Sequence, residues 1–232
     1  REYFDDVVAR TPERPSFAAA VKWCWEQVRS PLFFAHVRAT TGTSVARQNC
    51  HPFRYRHWLF IHNGQIGDYA KIRRRMEAIL PDELYAARKG ATDSELMFLL
   101  AVNYIVQGVA PIDAVGMMLG KVRLMMSEAG IAAPLRFAAA LADGESVYAF
   151  RYSSDERPPT LYLNRCDHGT IVASEPLQDR ANPCCPEWAA VAPNSAVIAA
   201  SSTLPNECDS GSHRKCSWSR WTSSIAWAPA PS

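Results

Sequence analysis

Apolar residues at three- and four-residue spacing open the chain: Phe17, Val21, Cys24, Trp25 and Val28 share a face and predict a helix over 15–30 that Pro31 ends. A continuous apolar run, 32–38, ending in a charge, predicts a buried strand, and 57–62 predicts a second. Asn63-Gly64 follows at once and reads as a turn. Residues 66–80 place Ile66, Tyr69, Ile72, Met76 and Ile79 on one face, with Lys71, Arg73, Arg74 and Arg75 largely off it, the pattern of an amphipathic helix with a solvated basic side. Thr92 and Glu95 form a capping-box signature before an apolar helix over 92–107, which Gly108 ends. A further helix over 111–129 presents Ile112, Val115, Leu119, Val122 and Met126; Met117, Met118, Met125 and Met126 read as core filler.

From residue 135 the period changes from helical to alternating. Residues 135–152 predict a hairpin about Asp143-Gly144, 160–165 and 169–177 two more strands, and 188–200 a last pair about Pro193-Asn194. Helix, strands, helices and then hairpins predict a layered α+β domain over residues 1–200, its sheets carrying helices on their outer faces. The remaining 201–232 is Ser-rich, carries Trp218, Trp221 and Trp227 without a period, and reads as a poorly ordered tail; a reading-frame change near residue 200 is the alternative. Charge interleaved with aromatics over 213–221 can mimic a nucleic-acid patch, but no nucleic-acid partner is expected.

Composition narrows the class. Apolar residues make up 48% and charged residues 21%, which excludes a disordered or collagenous chain. A net charge of +2 favours neither nucleic acid nor a membrane surface. No stretch of about 18 uncharged apolar residues occurs, so no membrane span is expected. The odd, irregularly spaced set Cys24, Cys50, Cys166, Cys184, Cys185, Cys208 and Cys216 lacks a CxxC motif and reads as reduced thiols of a cytoplasmic protein; neither a metal nor a cofactor is expected.

Four segments could carry chemistry: 34–43 (FAHVRATTGT), 49–53 (NCHPF), 62–66 (HNGQI) and 92–95 (TDSE). Arg38, ending an apolar strand, needs an anion, either a protein carboxylate in a salt bridge or a ligand carboxylate in a bidentate clamp. Asn63-Gly64 is either a turn or an oxyanion hole built from an amide NH₂ and a backbone N–H. Asp93, in a first helical turn, either complements the helix dipole or accepts a substrate ammonium. His36, His51 and His62 lie near these positions, each more simply structural than acid or base. None of these is decisive alone.

In combination, AHVRATTGT, NCHPF, HNGQI, TDSE and the late VASEPL resemble the class II glutamine amidotransferase domain over about residues 15–200. The likeness is greatest to the stand-alone bacterial branch related to ergothioneine-pathway and glutathione-degrading γ-glutamyl amidases. The resemblance implies an N-terminal nucleophile (Ntn) hydrolase fold, a four-layer α/β/β/α sandwich of two antiparallel sheets. It implies Arg38 on the glutamine α-carboxylate, Asp93 on the α-ammonium, Asn63 and Gly64 as the oxyanion hole, and Thr41 and His51 as lining. Glutamine or a γ-glutamyl small molecule is the implied substrate; no oligomeric state is implied. The family nucleophile is an amino-terminal Cys whose own α-amine, with a pKa of about 7.7–8.0, serves as base. The sequence opens instead on Arg1, and Cys24 and Cys50 have no free amine and read as spectators. The expectation is therefore an inactive, N-terminally truncated piece of an active amidohydrolase, lacking its first strand; a non-catalytic γ-glutamyl-binding module of the same fold is the alternative.

Overall fold

The computed structural model describes residues 32, 34, 36, 46–166, 169–176, 188–201 and 225–226. The chain divides into two compact units, 1–39 and 40–232. In the first, Leu32, Phe34 and His36 are described, each half-buried. The predicted helix over 15–30 and the rest of the predicted strand over 32–38 lie outside the described residues.

In the second unit a short 3₁₀ turn, Arg47–Asn49, leads into β1 (Phe53–Tyr55) and β2 (Trp58–Ile66). Four helices follow: α1 (Tyr69–Glu77), α2 (Asp82–Ala87), α3 (Asp93–Val106) and α4 (Pro111–Glu128). The strands β3 (Leu135–Ala142), β4 (Ser146–Ser153), β5 (Tyr162–Cys166), β6 (Gly169–Ala173), β7 (Ala189–Ala190), β8 (Ser195–Ser201) and β9 (Ile225–Ala226) complete it. They form a six-stranded sheet, β1-β2-β3-β4-β8-β9, and a three-stranded sheet, β6-β5-β7. Every pairing is antiparallel, so the α+β class follows directly.

Strand alternation separates two apolar layers. Phe60, Phe137, Leu141 and Phe150 face the helices and join one core with α3 and α4, where Phe60 stacks on Phe98 at 5.3 Å. Helix α3 is buried continuously from Ser94 to Val102, which its nearly all-apolar sequence demands. Truncating Phe60, Phe98 or Phe137, each no more than 1% exposed, costs about 3–5 kcal/mol. On the other face lie Ala138, Ala140 and Ala149, together with Arg151, the cross-strand partner of Ala138. Arg151 there donates to Pro159 O at 2.7 Å and Val191 O at 2.6 Å, tying the segments that flank β5 and β7 to β4.

The structure departs from the sequence expectations at defined places. Asn63-Gly64 is not a turn: β2 runs through it, because Leu59–Ile66 pairs without interruption with β3. The helix expected from residue 66 starts at Tyr69, and Ile66 ends the strand; Asp68, at φ 49°, makes the corner. The two strands about Pro193-Asn194 are not a hairpin, since β7 pairs with β5 and β8 with β4. Met117 is exposed rather than core, whereas Met118, Met125 and Met126 are buried. The hairpin at Asp143 is as expected, its Oδ1 accepting from the N–H groups of Glu145 and Ser146. Beyond residue 201, Ile225–Ala226 pairs with β8 and the rest of the predicted tail lies outside the described residues.

Candidate functional site

The site is built where the end of β2 meets the first turn of α3. Asp93 follows the N-cap Thr92, whose Oγ1 accepts from Glu95 N at 3.1 Å. The Asp93 carboxylate is held at both oxygens: Oδ2 accepts from the backbone N–H of Ile66 at 2.9 Å and Oδ1 from that of Ser94 at 2.9 Å. Two segments 27 residues apart are thereby fixed to one another.

That bond also fixes the orientation of the strand. Leu135, the partner of Ile66, turns its N–H and C=O toward Ser154, away from β2. Ile66 and Leu135 are thus a non-hydrogen-bonded pair, and by alternation so are Gly64 with Phe137 and His62 with Ala139. The N–H groups of Gly64 and Ile66 therefore point to the same edge of β2, roughly 7 Å apart. Along that edge β1 pairs only with Trp58–Phe60, so it ends before both. Asn63 is exposed and projects to the face opposite α3. Gly64 has φ +149°, and a Cβ there would press on the Arg136 carbonyl, lying 2.7 Å from its carbon. Only glycine fits this close approach.

A second joint brings in the 49–53 segment. Asn49, buried, accepts the Ala91 N–H on Oδ1 at 2.9 Å. Glu95, also buried, accepts from Lys89 N at 2.9 Å and Gly90 N at 2.6 Å. The Thr92–Glu95 pair is thus half of a capping box: Glu95 reaches back past Thr92 and Ala91 to the amides of Lys89 and Gly90. The turn 89–91 has three consecutive N–H groups taken by side chains, which pins the start of α3. Behind it, Tyr69 donates to Thr92 O at 3.4 Å, and burial pushes its phenol up to about 12. Burial opposes ionisation of Glu77, but hydrogen bonds from Arg73, at 2.7 Å, and from the buried Arg88 outweigh it and hold the carboxyl below its usual range.

Of the predicted residues, Asn63, Gly64 and Asp93 are brought to one strand end. His51 packs edge-on against Phe53 at 4.5 Å, beside that joint. Arg38 and Thr41 lie outside the described residues, as does Cys24. Cys50 is exposed, its thiol 3.6 Å from Ala46 O. Sequence reasoning missed Asn49 and Ser94 as the residues that join the segments. Each stood inside a segment singled out for other members. Among the described residues no group of three or more His, Cys, Asp or Glu could hold a metal ion, and no helix is long and apolar enough to cross a membrane.

A family model, glutamine amidotransferases class-II, matches residues 5–165. The chain belongs to the class-II glutamine amidotransferases. This family member resembles the probable glutamine amidotransferase DUG3 of Saccharomyces cerevisiae (strain ATCC 204508 / S288c), 41% identical over 78 residues, 34% of this chain and 22% of the yeast protein. The chain thus spans about a fifth of that curated relative. The glutamine aminotransferase class-II domain protein SPO2029 from Silicibacter pomeroyi superposes with a TM-score of 0.64 at 34% identity, covering 78% of this chain and 73% of that one. The glutamine phosphoribosylpyrophosphate amidotransferase of B. subtilis has a TM-score of 0.44 at 16% identity, over 70% of this chain and 31% of that one. The two antiparallel sheets and their helices form an α+β fold of the kind found in the Silicibacter pomeroyi class-II domain protein.

Proposed function

We propose that the complete protein hydrolyses glutamine or a γ-glutamyl amide, and that residues 1–232 supply its substrate-holding and oxyanion-stabilising groups. The observation that carries this reading is the 2.9 Å bond from Ile66 N–H to Asp93, which aligns a fixed carboxylate with the edge of the Asn63-Gly64 strand. A free amino acid offers one cation and one anion. Asp93 takes the α-ammonium and Arg38, on the strength of its motif, the α-carboxylate. Thr41 and His51 are assigned to the substrate lining on the strength of their motifs. The nucleophile is an amino-terminal Cys outside residues 1–232. Its thiol adds to the side-chain carbonyl, and the oxygen, now anionic, accepts from the Asn63 amide and the Gly64 N–H. The carbon–nitrogen bond breaks, the amine leaves with the proton taken from the thiol, and water releases the acyl group from the thioester.

Asn63→Ala in the full-length protein tests this. Loss of one oxyanion donor lowers kcat about 10²–10³-fold while KM changes little. A glutaminase kcat within about threefold of the parent would remove Asn63 from the role. Glutamine binding without product in the parent would shift the reading to a non-catalytic binding module.

A further inference from the structure

His62 lies one residue before the oxyanion pair and Ser94 one residue after the ammonium carboxylate, and neither has a part in the mechanism above. His62 is buried, 3% exposed, on the helix-facing side of β2. Its Nδ1 is 2.8 Å from Ser94 Oγ, itself on a buried residue. Ser94 Oγ is 3.5 Å from Asp93 Oδ1, and the Ser94 N–H donates to that same oxygen at 2.9 Å. At the other end of the ring, a Cβ on Gly64 would lie 2.8 Å from His62 Nε2, so the imidazole rests against the glycine backbone. Phe137, with its centroid 4.9 Å away, and Phe60, at 6.2 Å, hold the ring from the side.

The imidazole therefore spans the distance between the turn that carries Asp93 and the backbone of Gly64. A proton arrangement that serves these two contacts has Nδ1–H donating to Ser94 Oγ and the serine hydroxyl turned to Asp93 Oδ1. We propose that His62 and Ser94 are positioning residues, a rigid strut that sets the Gly64 N–H relative to the Asp93 carboxylate. The role attached to those two ends rests on the glutaminase reading; the strut itself does not.

The strut transmits. Removing the Ser94 hydroxyl frees one end of the ring and shifts the other, at Gly64, although Ser94 makes no bond to residue 64. Two measurements follow. In ¹H–¹⁵N spectra of the 232-residue chain, Ser94→Ala is expected to move the Gly64 amide resonance, and Ser94→Thr, which keeps the hydroxyl, to return it toward the parent position. A Gly64 amide unmoved by Ser94→Ala overturns the strut. In the full-length enzyme, Ser94→Ala is expected to lower kcat/KM about 10-fold, with kcat falling and KM for glutamine rising together, because both ends of the strut lose their aim. A Ser94→Ala enzyme of reduced thermal stability whose kcat and KM stay within about twofold of the parent also overturns it. A parent that hydrolyses no glutamine counts against the proposed function, and the Gly64 resonance then decides the strut by itself. His62→Gln, which removes the ring and leaves Ser94 in place, serves as the second variant and is expected to shift both the Gly64 and the Ser94 amides.

Discussion

Replacing Gly64 by alanine isolates the feature on which the candidate oxyanion strand depends. At φ +149° the backbone is in a region that essentially only glycine occupies, and a side chain there costs about 1–3 kcal/mol. The added methyl also meets the Arg136 carbonyl and, at 2.8 Å, His62 Nε2. Neither can withdraw easily, because β3 is paired on both sides and the imidazole is packed against Phe137. Overpacking of this kind costs a further 1–3 kcal/mol or so. The sum, about 2–6 kcal/mol, is a large part of the roughly 5–15 kcal/mol that holds a domain folded. At about 2–4 °C per kcal/mol, Tm falls by roughly 5–20 °C. Urea unfolding followed by far-ultraviolet circular dichroism measures it, with an unchanged slope showing that the same surface unfolds. Gly120→Ala is the control. Gly120 is exposed inside α4, nothing lies within 4 Å of its Cβ position, and alanine there is expected to stabilise by about 0.5–1 kcal/mol. A Gly64→Ala chain within about 0.5 kcal/mol of the parent would refute the argument.

Other consequences can be measured separately. Glu95→Gln sets an amide NH₂ against one of the two backbone N–H donors at Lys89 and Gly90, and a loss of about 1–3 kcal/mol is expected by urea unfolding; no loss would mean that the turn 89–91 does not depend on that carboxylate. Asn49→Ala leaves the Ala91 N–H without its acceptor and is expected to speed hydrogen exchange at Ala91 while leaving β4 unchanged. The Tyr69 phenol is raised from 10.0 to about 12, so its neutral form is favoured by folding; that stability is complete below pH 10 and is lost as pH rises toward 12. After discounting for its partial exposure, the parent should lose about 1–2 kcal/mol more than Tyr69→Phe over that interval. Arg38→Lys in the full-length protein is expected to raise KM for glutamine, because lysine cannot make the planar two-bond clamp; an unchanged KM would assign Arg38 to a salt bridge instead.

Much of the fold was legible because single interactions carry it locally. The helix from Asp93 announces itself through Thr92, whose hydroxyl caps it, and the β3–β4 hairpin through Asp143, whose side chain takes two amides of its own turn. What was not legible depended on distant partners. Asn63-Gly64 is a turn signal in isolation, but eight residues of pairing with β3 outweigh the local preference, and the glycine serves close approach instead of reversal. Pro193-Asn194 likewise promised a hairpin, yet its two flanks join different sheets, because Val191 donates to Leu161 O and Asn194 accepts from Ser153 N. For the site, the residue types were visible in their segments, but the joints made by Asn49 and Ser94 were not. They bridge stretches 42 and 32 residues apart, a separation that carries no signal of nearness in space.

β2 serves two masters on alternate residues. Phe60, His62 and Ile66 belong to the helices, Asn63 and Gln65 to the opposite face. An insertion or deletion of one residue between 59 and 66 would therefore do more than shift the chain. It would exchange the two inventories, sending a polar amide beneath α3 and the imidazole outward. Length variation among related chains should then fall in the connections between elements, such as the loop at 143–145, while this stretch tolerates substitution but no change of count. A library of single-codon insertions scored for folded yield would map that boundary to the residue.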